Sequence, residues 1–260
     1  MRQTTNSATS GAGLARSPWL QRFHPEPDAP VRLVCLPHAG GSASYYHPLS
    51  AALRDTFDVL VVQYPGRQNR YTEPPLTSVA ALADGVVEAL TPWLDRPLVI
   101  FGHSMGSLIG FEAARRLTAA GSPPRALVAS GRRAPDRHRD GDIHRRDDAG
   151  VLAEMRRLGG TGTGLLEDPE IRALVLPAIR GDFQATETYR FTPGPPLPCP
   201  LLALVGDADP VAELAEVRDW ARHTSADFRL RTFPGDHFYL ADQFPAVADT
   251  VRQHLTALAG

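Results

Sequence analysis

The chain holds little that could cross-link it or carry it into a membrane. Cysteine occurs twice in 260 residues, at Cys35 inside an apolar run and at Cys199 in a Pro-rich approach to another. Two thiols so placed argue against a disulfide framework and against a metal site, and buried free thiols suit a reducing cytoplasm. No apolar run approaches the ~20 residues of a membrane-spanning helix. The opening stretch, MRQTTNSATSGAGLARSP, has no apolar segment of signal-peptide length. Net charge is equally scarce, at -2, so bulk charge draws the chain neither to nucleic acid nor to an anionic membrane surface. A cytoplasmic monomer with no nucleic-acid or membrane partner is the expectation.

What is present is ordinary for a globular protein, 43% hydrophobic and 22% charged, at a length near the upper end for one domain. Residues 1–18 carry too little apolar surface to offset the entropy of ordering. They are read as a disordered leader, with residues 19–260 forming a single domain.

Short runs rich in Val, Leu and Ile recur at 31–36, 57–62, 97–102, 125–130, 200–206 and 228–233. Most are nearly continuous rather than alternating, as strands covered by helices on both faces require. Helical patterns lie between them at 45–54, 79–94, 104–120, 211–223 and 246–258. That alternation predicts an open, doubly wound α/β sheet, mostly parallel, with chemistry in the loops at the carboxyl ends of its strands. From Arg132 to Cys199 no strand-like run appears, whereas DDAGVLAEMRRLGG and DPEIRALVLPAIRGDFQATETYRF look helical. This is an insertion of about 136–196, bounded by an Arg/Asp-rich segment and by the Pro-rich TPGPPLPCP. A cap over the active site is expected, because long insertions in compact domains are often lids.

Within LVIFGHSMGSLIG, Gly102-His103-Ser104-Met105-Gly106 fits G-x-S-x-G, which a shuffled chain of this composition would match roughly 0.08 times. Its context sharpens it. A strand precedes the motif and a helical pattern follows, the arrangement that leaves a serine protruding from a strained turn with glycines where strand and helix approach. Such a serine needs a base oriented by a carboxylate, in the chain order Ser, Asp or Glu, His. His237, in FPGDHFYL after the last strand, fits the base. His223 and His254 lie in helical patterns and are expected on solvent faces. Asp209, in the loop after LLALVG, is the expected carboxylate, followed by a Pro that can start the next helix. Asp136 is its rival, and Asp207 and Asp236 read as turn residues. The oxyanion needs two backbone donors: Met105, after the nucleophile, and Ala39, in LPHAGGSASYY. His38 and His103 read as braces for these loops.

The segments PHAGGSASYY, QYPGRQNR, FGHSMG, GDADP and GDHFYL together resemble the type II thioesterases, the stand-alone editing hydrolases of polyketide synthases and nonribosomal peptide synthetases. The resemblance runs from about Arg32 to the C-terminus. It implies the α/β-hydrolase fold with a helical lid insertion, Ser104, Asp209 and His237 as a triad, no metal, and no cofactor beyond the phosphopantetheine on the substrate's carrier. It also implies transient partners, the acyl and peptidyl carrier proteins, and removal of aberrant or stalled acyl groups. A general carboxylesterase, a chain-releasing cyclase and a noncatalytic hydrolase-fold module are the competing readings. Arg67 and Arg70 could meet a carrier or brace their own loop. The Arg cluster 132–146 could meet a carrier, but its interleaved aspartates suit a solvated surface.

Overall fold

A computed structural model describes residues 17–159 and 166–256. The expected leader therefore lies outside the described residues apart from Ser17 and Pro18, and so does GGTGTG beyond Gly159.

Seven strands form one sheet: β1 (Leu20–Gln21), β2 (Arg32–Leu36), β3 (Asp58–Val62), β4 (Leu98–His103), β5 (Ala126–Ser130), β6 (Leu201–Gly206) and β7 (Phe228–Phe233). Their order is β1-β3-β2-β4-β5-β6-β7, with β1 antiparallel to β3 and every other pairing parallel. The five strands from β2 to β6 are buried along their whole length. Successive side chains of one strand go to opposite faces: Val34 and Leu36 join one core, Leu33 and Cys35 the other. Helices α2 (Val79–Leu90) and α3 (Met105–Ala119) cover the first face, burying Leu82, Val86, Leu108 and Leu117. Helices α1 (His47–Leu53) and α7 (Leu240–Thr256) cover the second through Leu49, Leu53, Val247 and Val251. The two-sided burial explains why these strands read as unbroken apolar runs. Edge strand β7 instead alternates, with Arg229 and Arg231 exposed, and charge on an edge discourages pairing with another chain.

The insertion holds α4 (Asp148–Arg157) and α5 (Pro169–Thr188), both foreseen as helical. Val151, Leu152, Leu166, Leu176, Ile179 and Phe183 give it a small apolar core of its own. A buried ion pair ties α5 to the main domain. Arg67 donates to both oxygens of Asp182 at 2.8 Å, and Oδ2 of Asp182 also accepts the Gly40 amide at 2.7 Å.

Several expectations need correction. Strand β1 went unforeseen, because two residues make no hydrophobic pattern. The helical pattern at 211–223 begins only at α6 (Leu214–Arg218), and Pro210 does not start it. Asp209 accepts the amides of Val211 and Ala212 and holds that stretch in a turn. Helix α7 starts six residues earlier than foreseen and carries Pro245 inside it. His223 and His254 are buried, at 6% and 3% exposure, not solvent-facing. His223 sits edge-on to Phe111, Phe191 and Trp220.

Candidate active site

Ser104 stands at the junction of β4 and α3 with φ 53° and ψ -114°, a left-handed backbone that a non-glycine residue adopts only when its surroundings impose it. Those surroundings are tight. A Cβ on Gly106 would lie 2.0 Å from the Leu36 carbonyl oxygen, and one on Gly102 would lie 2.2 Å from that of Gly106. Strand β5 braces the turn: the Ser104 amide donates to the Ser130 carbonyl at 2.8 Å, and the Ser107 hydroxyl lies 2.9 Å from the carbonyls of Gly102 and Ser130. The bracing serines were not foreseen, since they carry no motif of their own.

His237 reaches Ser104 from the loop after β7. A Cβ on Gly206 would fall 2.3 Å from the Asp236 carbonyl, so the end of β6 packs directly on the His237 loop. Asp207 and Asp236 are the turn residues expected: Asp207 accepts the Gly235 amide at 3.0 Å and Asp236 that of Phe238 at 2.8 Å. The result is a hydrogen-bonded chain. Ser104 Oγ lies 2.9 Å from His237 Nε2, and His237 Nδ1 lies 2.9 Å from Asp209 Oδ2. A carboxylate only accepts, so Nδ1 carries the proton, and Nε2 is left to accept from the serine hydroxyl. The Asp209 side chain is fully buried, with its other oxygen taken by the Val211 and Ala212 amides at 2.8 and 3.2 Å. The rival Asp136 is engaged elsewhere, 2.9 Å from His223 Nε2.

Gly40 (φ 75°) turns the loop after β2 under the insertion. Its amide is committed to Asp182 and that of Gly41 to the His38 carbonyl. Among the described residues the amides of Ala39 and Met105 donate to no protein acceptor. Met105, first in α3, has no intrahelical partner for its N–H. His38 and His103 are buried beside His237, with His103 at a ring-centroid distance of 5.3 Å. Burial, then the nearby His237 charge, pushes His38 down to about 3 and holds His103 well below the usual imidazole range. Both stay neutral, as braces. His103 Nδ1 meets the Ser130 hydroxyl at 2.9 Å, which in turn meets Tyr239.

A cavity of about 250 Å³ opens at Ser104 and His237, and Ala39 contributes to its wall. The insertion supplies Ile143, Met155, Leu158 and Phe183 to the same wall. Arg67 and Arg70 brace their own loop: Arg67 is spent on Asp182, while Arg70 pairs with Glu73, donates to the Gln63 carbonyl at 2.8 Å and stacks on Trp19. In the Arg cluster, Arg137 and Arg139 sit on the surface, paired with Asp219 and with Glu213 and Glu216. Arg132 departs from the solvated-surface expectation, because its side chain turns into the cavity with Nε buried.

The described residues contain no group of three or more His, Cys, Asp or Glu side chains able to hold a metal ion, and no helix long and apolar enough to cross a membrane. Among known proteins, the thioesterase domain family matches residues 31–255. Thioesterase PikA5 of Streptomyces venezuelae is 50% identical over 244 residues, 93% of this chain and 87% of that protein. The solved structure of the type II thioesterase BorB from the borrelidin biosynthetic cluster superposes with a TM-score of 0.85 at 46% identity, covering 91% of this chain and 97% of that one. YbtT, a type II thioesterase from the yersiniabactin NRPS/PKS pathway, gives a TM-score of 0.82 at 32% identity, covering 92% and 99%.

Proposed function

Because the chain belongs to the thioesterase family, we propose that it hydrolyses acyl thioesters from the phosphopantetheine arm of acyl and peptidyl carrier proteins. In that role it clears aberrant or stalled acyl groups from polyketide or nonribosomal peptide assembly. The observation that carries the chemistry is the Ser104–His237–Asp209 chain, with both contacts at 2.9 Å, opening into a cavity. The assembly context is supported by relatives whose names place them in such pathways.

The reaction runs in two steps. His237 Nε2 takes the Ser104 proton as Oγ attacks the thioester carbonyl, and Asp209 steadies the imidazolium that forms. The amides of Ala39 and Met105 hold the oxyanion, and each such donor is typically worth ~10²–10³ in rate. His237 returns the proton to the departing pantetheine thiol. Water, deprotonated by the same imidazole, then releases the carboxylic acid and frees Ser104. Nucleophile, base and donors are all protein groups, so the reading calls for no cofactor beyond the arm on the substrate.

A cavity of about 250 Å³ sits at the small end for ligand sites and suits a short acyl group better than a finished chain. The same reading has the enzyme working as a monomer in the cytoplasm, which suits its two buried, unpaired cysteines. The test is acyl loss from a loaded carrier protein, followed by intact mass, for the native enzyme and Ser104→Ala. Loss only with the native enzyme, and faster than on simple esters of the same acid, is the expected result. Loss that persists in Ser104→Ala overturns the site, and equal or faster turnover of free esters overturns the substrate.

A further inference from the structure

Arg132 opens the loop that leaves the carboxyl end of β5, two residues after Ser130, whose carbonyl holds the Ser104 amide. The loop is fixed there. Gly131 (φ 60°) donates its amide to the Leu204 carbonyl at 2.8 Å, and a Cβ on it would lie 2.5 Å from His103 Cε1. The Arg132 carbonyl accepts the indole N–H of Trp220, itself fully buried, at 2.8 Å. The backbone thus delivers the Arg132 guanidinium to the wall of the cavity that Ser104 and His237 share.

The guanidinium arrives without a counter-ion. Nε is buried and has no hydrogen-bond partner, and no carboxylate among the described residues lies within ion-pair distance of the group. The other charges of the same wall are committed. Arg139 and Arg157 pair with glutamates, and Arg133 donates to the carbonyls of Arg137 and Val211. Glu154 serves Arg157, Glu187 takes the Ile143 and His144 amides, and Asp140 faces His138. Burial, then the charge of Arg133, lowers the Arg132 pKa to about 9, so the group remains a cation at neutral pH. The residue is part-buried with Nε sealed from solvent, and the guanidinium's fork of planar donors matches a carboxylate or phosphate.

We propose that Arg132 binds an oxyanion carried by the thioester substrate itself. Two parts of such a substrate bear one, the phosphate of the pantetheine arm and a carboxylate on the acyl group, and either would supply the missing counter-ion. This rests on the thioesterase reading above and adds a specificity-determining residue to it.

Three thioesters separate the sources: butyryl-pantetheine, which is neutral, butyryl-4′-phosphopantetheine, and succinyl-pantetheine. For each, kcat/KM is measured with the native enzyme, Arg132→Gln and Arg132→Lys. In Arg132→Gln the ratio of one anionic substrate to the neutral one falls at least about tenfold, the size of one charge-assisted hydrogen bond, and Arg132→Lys restores part of it. The phosphorylated thioester responding assigns the arm, and the succinyl thioester responding assigns the acyl group. Ratios that stay within twofold of the native values for both anionic substrates overturn the proposal.

A measurement that needs no variant is competitive inhibition of the native enzyme by 4′-phosphopantetheine against pantetheine, and by succinate against succinamate. A tenfold advantage for one anion supports the proposal, and parity in both pairs refutes it. If the native enzyme cleaves none of the three thioesters, the thioesterase reading itself fails and the assignment falls with it.

Discussion

Substituting Asp182 by asparagine removes one charge with almost no change of shape, at the point where the insertion is fastened to the catalytic domain. Asp182 is fully buried and the Arg67 side chain is 8% exposed, so solvent screens the pair little. Breaking a buried pair by neutralising one partner typically costs ~3–5 kcal/mol, because the remaining charge stays desolvated. In a domain of this size each kcal/mol lowers Tm by about 2–4 °C, so a fall of roughly 6–20 °C is expected.

Activity should fall as well, measured well below the new Tm. Asparagine keeps one oxygen where the carboxylate offered two oxygens to three donors, so the Gly40 amide competes with Arg67 for it and the adjoining Ala39 amide is held less firmly toward the substrate carbonyl. Complete loss of that donor sets an upper bound of ~10²–10³ in kcat. Calorimetry gives the first quantity, and steady-state kinetics on an acyl thioester at 20 °C the second, with kcat falling more than KM rises. Replacing both partners, Arg67→Met with Asp182→Leu, leaves no stranded charge and should recover most of the Tm while leaving kcat low. A single variant within 2 °C of the native Tm, or a double variant less stable than Asp182→Asn, would refute the reasoning.

The two candidate acids separate in turnover assays: Asp209→Asn should lower kcat by up to ~10⁴, the scale set by losing the correct imidazole tautomer. Asp136→Asn, whose carboxylate serves His223, should change it less than tenfold, and the reverse order would move the acid to β5. Acid should also weaken the fold. His38, lowered from 6.5 to about 3, and His103, also lowered, are neutral when folded and protonate when unfolded, so the unfolded chain binds more protons below pH 6.5. Stability therefore drops as pH falls. Each histidine contributes about 1.4 kcal/mol of loss between pH 7.5 and 5.5, or roughly 3 kcal/mol for the pair. Urea unfolding at the two pH values checks this, and equal stability at both would show that the two rings are not held neutral.

How much of this could be read from the sequence depends on how far apart in the chain the interacting groups lie. Strands β2 to β6 declared themselves because both their faces are buried, which makes the signal continuous and local. Ser104 declared itself through five consecutive residues, and His237 and Asp209 through their order after it. Between Asp209 and Asp136 the sequence favours Asp209 but leaves Asp136 a rival, since each follows a strand at the catalytic edge of the sheet. What separates them is His223, buried among aromatic rings and 87 residues along the chain from Asp136. Its burial is hidden by a helical pattern that does not say which face packs. Arg67 likewise reads as a loop arginine until Asp182, 115 residues on, closes on it. Arg132 was obscured for a different reason: it opens a run of arginines and aspartates, and a charge run in a loop carries no periodicity to say which member turns inward. Its neighbours Arg137 and Arg139 find acidic partners on α6 and its flanks, whereas Arg132 meets the cavity wall with no acidic partner within ion-pair distance and its Nε without a hydrogen bond. The hydrogen-bonded chain of Ser104, His237 and Asp209 is thus foreshadowed by a local motif and its order. The group that would select the substrate is visible only once the fold has paired off the charges around it.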